Sequence, residues 1–352
     1  MRLGHFVSFG IGGADRASFR LIQAQQEMGL SPIVFASEAS VPAATRITAD
    51  QDPNGRVLSI QASYAEIGVP IRFVETYGGM AEADLDILHT HRSGEDNFLL
   101  PRLGEKGVAK AVVETNFHGV LKTPADVRVF PSQTLVKFRK IMNQDNYFVI
   151  PNPVMHRNSN SSLREEWGIS RGKVLGRISR SDRSTYSPKL LLAYKFLKLK
   201  HPDLRLVWCG ASSWARRDAK RLGLQDIVWV ETESSERVVS SWFNSFDIYC
   251  HVPKLGETFG NTVAEAMMHA KPVVSLKGRP NFPQAQKEVL DDSDQFSTSL
   301  IDFVSKTSRM LSSDGYRTSK SEQNLRRAEA NYTPGEVAER YLNVYRWALR
   351  NS

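Results

Sequence analysis

No stretch of the 352-residue chain approaches the about 20 consecutive apolar residues that a membrane-spanning helix requires, so a transmembrane helix is excluded. The N-terminus, MRLGHFVSFGIGG, lacks a long apolar segment leading to a small-residue cleavage site; it reads as a first strand running into a glycine turn rather than as a secretion signal. Cysteine is scarce. The two present, Cys209 and Cys250, each sit in an apolar strand-like run (LRLVWCG and FDIYCHV), as expected of buried, reduced thiols in a cytoplasmic protein, and a disulfide is not expected. Internal repeats and low-complexity tracts are absent, which removes repeat arrays from consideration.

What is present is an ordinary globular composition, 41% hydrophobic and 24% charged, in a chain long enough for two cores. The formal charge is +8, and it is unevenly spread: residues up to Ile150 carry 15 basic and 16 acidic side chains, those after it 31 and 22. The surplus in the second half suits a polyanionic ligand, although a solvated surface accounts for a basic excess equally well.

The first half alternates apolar runs with helical spacing. LGHFVSF, the turn GIGGA, an amphipathic stretch with Phe19, Leu21, Ile22 and Met28 that stops at Gly29, and PIVFAS form a strand, a helix and a second strand, hence a parallel sheet. Further strands are expected at DILHTH, AKAVVETNFHG, VRVFPS and NYFVIP. The prolines flanking Asn152 and the polar run HRNSNSS mark a boundary, after which the alternation restarts from KVLGRIS and continues through PVVSL. The reading is therefore α/β, with two Rossmann-like doubly wound parallel sheets: residues 1–152, then residues 153–332. Open parallel sheets collect ligands outside the carboxyl ends of their strands, which selects Gly10 to Ala14, Thr115 to Gly119 and Leu255 to Thr262, and places the site in a cleft between the domains.

The richest of these stretches is GETFGNTVAEAMM, residues 256–268. Glycines keep Glu257 on a loop, while Asn261 onward has the apolar spacing of a packed helix capped by Asn261 or Gly260. Free amides of Gly260, Asn261 and Thr262 would favour phosphate. Glu265, one turn in, could accept from a vicinal diol such as ribose. Taken singly, Glu265 equally fits a complement to the helix dipole, and Glu257 a surface loop acid.

Together with Phe259 and Gly260 between them, these residues resemble a signature. GETFGNTVAEAMMHAKPVV is similar to the E-x-F-G-x-x-x-x-E-A-M pattern of the retaining, nucleotide-sugar-dependent glycosyltransferases of the GT-B fold, glycosyltransferase family 4. GGADRAS, ETNFHG, IPNPV and LGRISRSDRSTYSPKLLLAYKFLKLKHPDLRLVWCG extend the resemblance over most of the chain. It implies two domains facing across a cleft, an acceptor-binding first domain, a donor-binding second domain, and a final helix, 333–352, crossing back to the first. On this resemblance Glu265 holds the donor ribose and Glu257 the transferred sugar. The amides following Phe259 touch sugar or diphosphate, and His118 reaches the sugar and leaving phosphate. Gly12 and Gly13 let backbone approach the diphosphate, and Arg177 pairs with its oxygens. The resemblance implies a glycosyltransferase with a nucleoside-diphosphate sugar as co-substrate, a glycan, lipid or other hydroxyl acceptor, and no cofactor or metal, because cations and helix amides neutralise the leaving group.

Several residues depart from the pattern. The family's phosphate-binding lysine falls at Thr185, with Arg180 or Arg183 as substitutes, and the segment after Pro272 becomes LKGRPNFPQAQKEVL. His89 and His91 lie on one side of a strand without a third ligand at metal-site spacing, which favours a strand-end role beside the acceptor over a metal pair. Lys137, Arg139 and Lys140 in SQTLVKFRKIM would serve peripheral contact with an anionic membrane or be a solvated face. The alternatives are an epimerase or hydrolase on the same fold, a sugar-nucleotide binder without turnover, and a nucleic-acid-binding protein, for which only the pI of 9.4 speaks.

Overall fold

The computed structural model describes residues 1–7, 12–37, 62–75, 78–92, 107–143, 146–233 and 235–352. Gly10 and Ile11 of the glycine turn lie outside them. The chain divides into two compact units, Met1–Val154 with Asn331–Ser352, and Met155–Ala330.

In the first unit, strands β1 (Leu3–Phe6), β2 (Ile33–Ser37), β3 (Ile71–Val74), β4 (Leu85–Arg92), β5 (Ala109–Asn116), β6 (Val127–Phe130) and β7 (Tyr147–Val149) form one sheet in the order β3-β2-β1-β4-β5-β6-β7. All its pairings are parallel. Helices α1 (Gly13–Glu27), α2 (Gly78–Ala81) and α3 (Gln133–Arg139) belong to the same unit. In the second unit, β8 (Val174–Ile178), β9 (Arg205–Cys209), β10 (Ile227–Val230), β11 (Ile248–His251), β12 (Val273–Leu276) and β13 (Phe296–Ser297) lie in the order β10-β9-β8-β11-β12-β13, again all parallel. The intervening helices are α4 (Lys189–Lys200), α5 (Ser213–Arg221), α6 (Glu236–Ser245), α7 (Asn261–Met268), α8 (Gln286–Leu290) and α9 (Leu300–Ser312). Helices α10 (Asp314–Tyr332) and α11 (Pro334–Asn351) end the chain.

Both sheets are doubly wound, and in each the winding reverses beside the first strand, between β1 and β4 and between β8 and β11. Loops on either side of such a reversal diverge, leaving a crevice at the strand carboxyl ends. The strand cores are nearly continuous apolar runs because both sheet faces are covered: Leu175, Leu206, Trp208 and Val274 are all at most 2% exposed. Helix α11 packs on the first sheet, where Val337, Tyr341, Val344 and Tyr345 join Leu3, Leu21, Ile87 and Val113 in one cluster. Thr333 accepts a hydrogen bond from the Glu336 amide and Pro334 opens the helix, so its start is set locally. Cys209 and Cys250 are both free and buried, and burial pushes the Cys250 thiol up to about 12. Among the described residues, no helix is long and apolar enough to cross a membrane.

Candidate functional site

The β8/β11 crevice of the second unit gathers many of the residues singled out in the sequence. Arg177 sits near the end of β8 and His251 ends β11; the guanidinium Nη1 lies 3.0 Å from His251 Nδ1, and both residues are buried. His251 Nε2 in turn lies 3.2 Å from Glu257 Oε1. Burial lowers the pKa of His251; the neighbouring Glu257 carboxylate works against that shift and Arg177 with it.

Glu257 is on a loop, but a braced one. Its amide donates to the Pro283 carbonyl at 2.8 Å, and its own carbonyl accepts from Ala285 at 3.0 Å. The bracing segment is 276–290, the stretch that departs from the family pattern. Two close approaches make it possible: a Cβ on Gly256 would come within 2.3 Å of the Pro283 carbonyl oxygen, and one on Gly278 within 2.0 Å of that of Leu255. Gly260 caps α7 with φ 107°, a left-handed conformation suited to glycine. Of the two caps the sequence allowed, Asn261 is instead the first helical residue. Thr262 follows it in the first turn, Glu265 is buried one turn on at 6% exposure, and Phe259 is buried at 3%.

The cations of the β8–α4 loop are arranged differently from a simple lysine replacement. The Thr185 hydroxyl turns back to the Arg180 carbonyl at 2.8 Å, so it is committed to its own loop. Arg180 is exposed and 3.3 Å from Asp182, while Arg183 stacks on Trp214, its guanidinium carbon 4.4 Å from the ring centroid. Lys254, from the loop after β11, donates to the Arg183 carbonyl at 3.0 Å. It brings a third cation to the loop, which no sequence spacing indicated because it comes from 71 residues away.

In the first unit Gly12 caps α1, its amide donating to the Asp15 carboxylate at 3.0 Å, and Gly13 begins the helix. His118 is exposed on the turn after β5. Asn116 Oδ1 accepts from the amides of His118 and Gly119 at 3.3 and 2.8 Å, and Arg139 Nε donates to the His118 carbonyl at 2.9 Å. Beneath that turn the fully buried Glu114 accepts from Arg92 Nε, Arg128 Nε and the Thr123 hydroxyl, a charged brace that no sequence pattern pointed to.

His89 and His91 are joined by His5 of the neighbouring strand, whose register sets His5 opposite His89. This is the third imidazole that spacing along one strand did not reveal. Their nitrogens lie within 4.8 Å of one another, close enough to gather a cation. Hydrogen bonds engage five of the six ring nitrogens without one, and the buried His91 Nδ1 makes none. His5 Nε2 donates to Gln25 Oε1 at 2.8 Å, so its Nδ1 is bare and accepts from His91 Nε2 at 2.9 Å. His89 is held by the Tyr345 hydroxyl and Thr115 Oγ1, each at 2.7 Å. Burial holds all three below the usual imidazole range, His5 at about 3. The strand-end role expected for His89 beside an acceptor does not hold, because its ring is enclosed between β4 and α11.

Residues 160–290 match the family Glycosyl transferases group 1. No curated protein matches the sequence. Among solved structures, Anabaena HepE in complex with UDP and glucose is similar at 14% identity and TM-score 0.72, covering 99% of this chain and 100% of that one. A glycosyltransferase from Rickettsia africae is similar at 16% identity and TM-score 0.73, covering 100% and 99%. Trehalose-6-phosphate synthase OtsA is similar at 12% identity and TM-score 0.66, covering 98% and 99%. At such identities the likeness carries the architecture: the chain has the two parallel α/β units of a GT-B fold, and residues 160–290 of the second are similar to Glycosyl transferases group 1.

Proposed function

We propose that this protein is a retaining, metal-independent glycosyltransferase of family 4 that moves a sugar from a nucleoside diphosphate to a hydroxyl acceptor. The observation that carries the reading is the β8/β11 crevice, where a braced carboxylate, Glu257, stands 3.2 Å from a buried histidine held by Arg177, directly before the left-handed cap of α7. A similar fold that holds UDP and glucose supports the donor class. As the glycosidic bond breaks, the diphosphate gains charge that the amides at the start of α7 and the cations Arg177, Arg180, Arg183 and Lys254 would stabilise. The reading also assigns donor-binding roles to Gly12, Gly13 and His118 of the first unit, and binding of a glycan or lipid-linked acceptor to that unit. Location in the cytoplasm belongs to the proposal. So does peripheral membrane contact, supported by exposed Phe138 and Met142 beside Lys137, Arg139 and Lys140.

The test is a panel of UDP-glucose, UDP-N-acetylglucosamine, GDP-mannose and ADP-glucose, with nucleoside diphosphate release and product mass measured in excess EDTA. Release that persists under chelation is expected; loss restored by Mn2+ would contradict the metal-independent part, and a converted sugar nucleotide would favour an epimerase.

The two glutamates should separate. Glu265→Ala is expected to weaken UDP and UDP-glucose alike, by about 1–3 kcal/mol, if the ribose hydroxyls lose a charged acceptor. Glu257→Ala should leave free UDP affinity nearly intact while lowering turnover, because its partners are on the sugar. Calorimetry with both ligands decides, using GDP and GDP-mannose or ADP and ADP-glucose if the panel selects them. Equal loss of diphosphate affinity in both variants would end the division into a ribose clamp and a sugar clamp.

A further inference from the structure

His251 has no place in the signature that drew attention to Glu257, yet it joins two charges at the crevice floor. A guanidinium offers only donors, so His251 Nδ1, 3.0 Å from Arg177 Nη1, has to accept. In a neutral ring the proton is then on Nε2. That nitrogen is the one 3.2 Å from Glu257 Oε1, but the contact is poorly aligned, and the buried Nε2 makes no proper hydrogen bond. The ring dipole points its lone pair at a cation and its N–H at an anion, so both neighbours favour this tautomer.

The backbone of Glu257 is tied on both sides to segment 283–285, which leaves rotation of its side chain as the main freedom of the carboxylate. Its side chain is about one-third exposed, whereas that of His251 is 2% exposed. An enclosed donor of fixed tautomer beside a movable carboxylate is suited to setting its direction. We propose that His251 is a positioning residue: with a sugar nucleotide in the crevice, Glu257 turns onto the His251 Nε2–H, and this hydrogen bond holds the carboxylate towards the transferred sugar. Arg177 acts through the ring by fixing its tautomer. The proposal rests on the glycosyl-transfer reading above.

Two measurements test it. In ligand-free protein at pH 7.5, nitrogen-15 NMR of the imidazoles, with His251 assigned by its absence in His251→Gln, is expected to show a bare Nδ1 and a protonated Nε2. A protonated Nδ1 or an imidazolium overturns the proposal. The second compares turnover of whichever sugar nucleotide of the panel the wild-type protein uses. His251→Phe should lower kcat about 10- to 100-fold through misplacement of Glu257, with affinity for the free nucleoside diphosphate changed less than about threefold. His251→Gln, whose amide can accept from Arg177 and donate to Glu257, should recover most of the loss. Should His251→Phe not fold, His251→Asn, too short to span both partners, must show the same fall in kcat. Full kcat in either variant, or a Gln variant no better than Phe or Asn, overturns the role. Absence of turnover of every panel member by wild-type protein overturns the glycosyl-transfer reading itself, whereas a wrong tautomer with normal turnover overturns only the part given to His251.

Discussion

Deleting residues 333–352 is expected to abolish folding of the first unit while the second keeps its own unfolding transition. Val337, Ala338, Tyr341, Val344, Tyr345 and Ala348 are at most 3% exposed and complete the core built on Leu3, Leu21, Ile87, Ala111, Val113 and Val129. Burial of a large apolar side chain contributes about 1.5–3 kcal/mol, so the four large ones alone account for roughly 6–12 kcal/mol. That equals the whole stability of a typical domain, about 5–15 kcal/mol. The deletion also strips hydroxyl partners from buried polar groups: Tyr345 from His89 and Gln25, and Tyr341 from Thr115. Denaturant titration of the chain 1–332, followed by circular dichroism and tryptophan emission, should show one transition lost. If both transitions survive at their original midpoints, the packing of α11 contributes little and the argument fails. Tyr345→Phe is the milder counterpart; it removes only the hydroxyl and should cost about 1–3 kcal/mol for the groups left unsatisfied.

Mild acid should unfold the same unit. His5, His89 and His91 are held neutral in the fold, with pKa values lowered chiefly by burial, and in the unfolded chain they return to about 6.5. The sign follows from proton counts. Below pH 6.5 the unfolded chain takes up protons at three sites that the native state refuses, so stability is fully present above that pH and falls as the pH drops. Once all three are charged in the unfolded chain, the slope approaches about 4 kcal/mol per pH unit, which would exhaust a typical domain within about one to four units. Carboxylate titration lies lower, so a loss between about pH 6.5 and 4.5 is attributable to histidine. His251, lowered by burial in the second unit, acts in the same direction there. The measurement is the urea midpoint of the first unit at pH 7.5, 6.5, 5.5 and 5.0. His91→Gln, which removes one of the three sites, should flatten the slope by about one third. A midpoint that does not move over this range would mean that the cluster is charged or otherwise compensated in the fold.

Much of this architecture was legible along the chain. Apolar runs separated by helical spacing located β4, β5, β8, β9, β11 and β12, because a strand buried on both faces needs a run of apolar residues and each crossover needs a helix. The loop-to-helix change at Gly260 was readable too, since glycine, asparagine and the apolar spacing from Val263 act within a few residues of one another. Arg180 and Arg183 of the basic loop at 180–185 were readable too, whereas Lys254, which reaches that loop from 71 residues away, was not.

What the tertiary structure alone decided are the groups whose members come from distant strands. His5 meets His89 and His91 across 84 and 86 residues because β1 and β4 are neighbours in the sheet, and no spacing along one strand encodes that adjacency. Arg177 meets His251 across 74 residues because the winding of the second sheet reverses between β8 and β11. Glu257, Glu265 and Gly260 could be read from the sequence because their relation is local, set by one turn of chain and the start of one helix. The partner that orients Glu257 could not, because strand order is set by burying both faces of a sheet at once, a condition that involves the whole unit and leaves no mark at any single position.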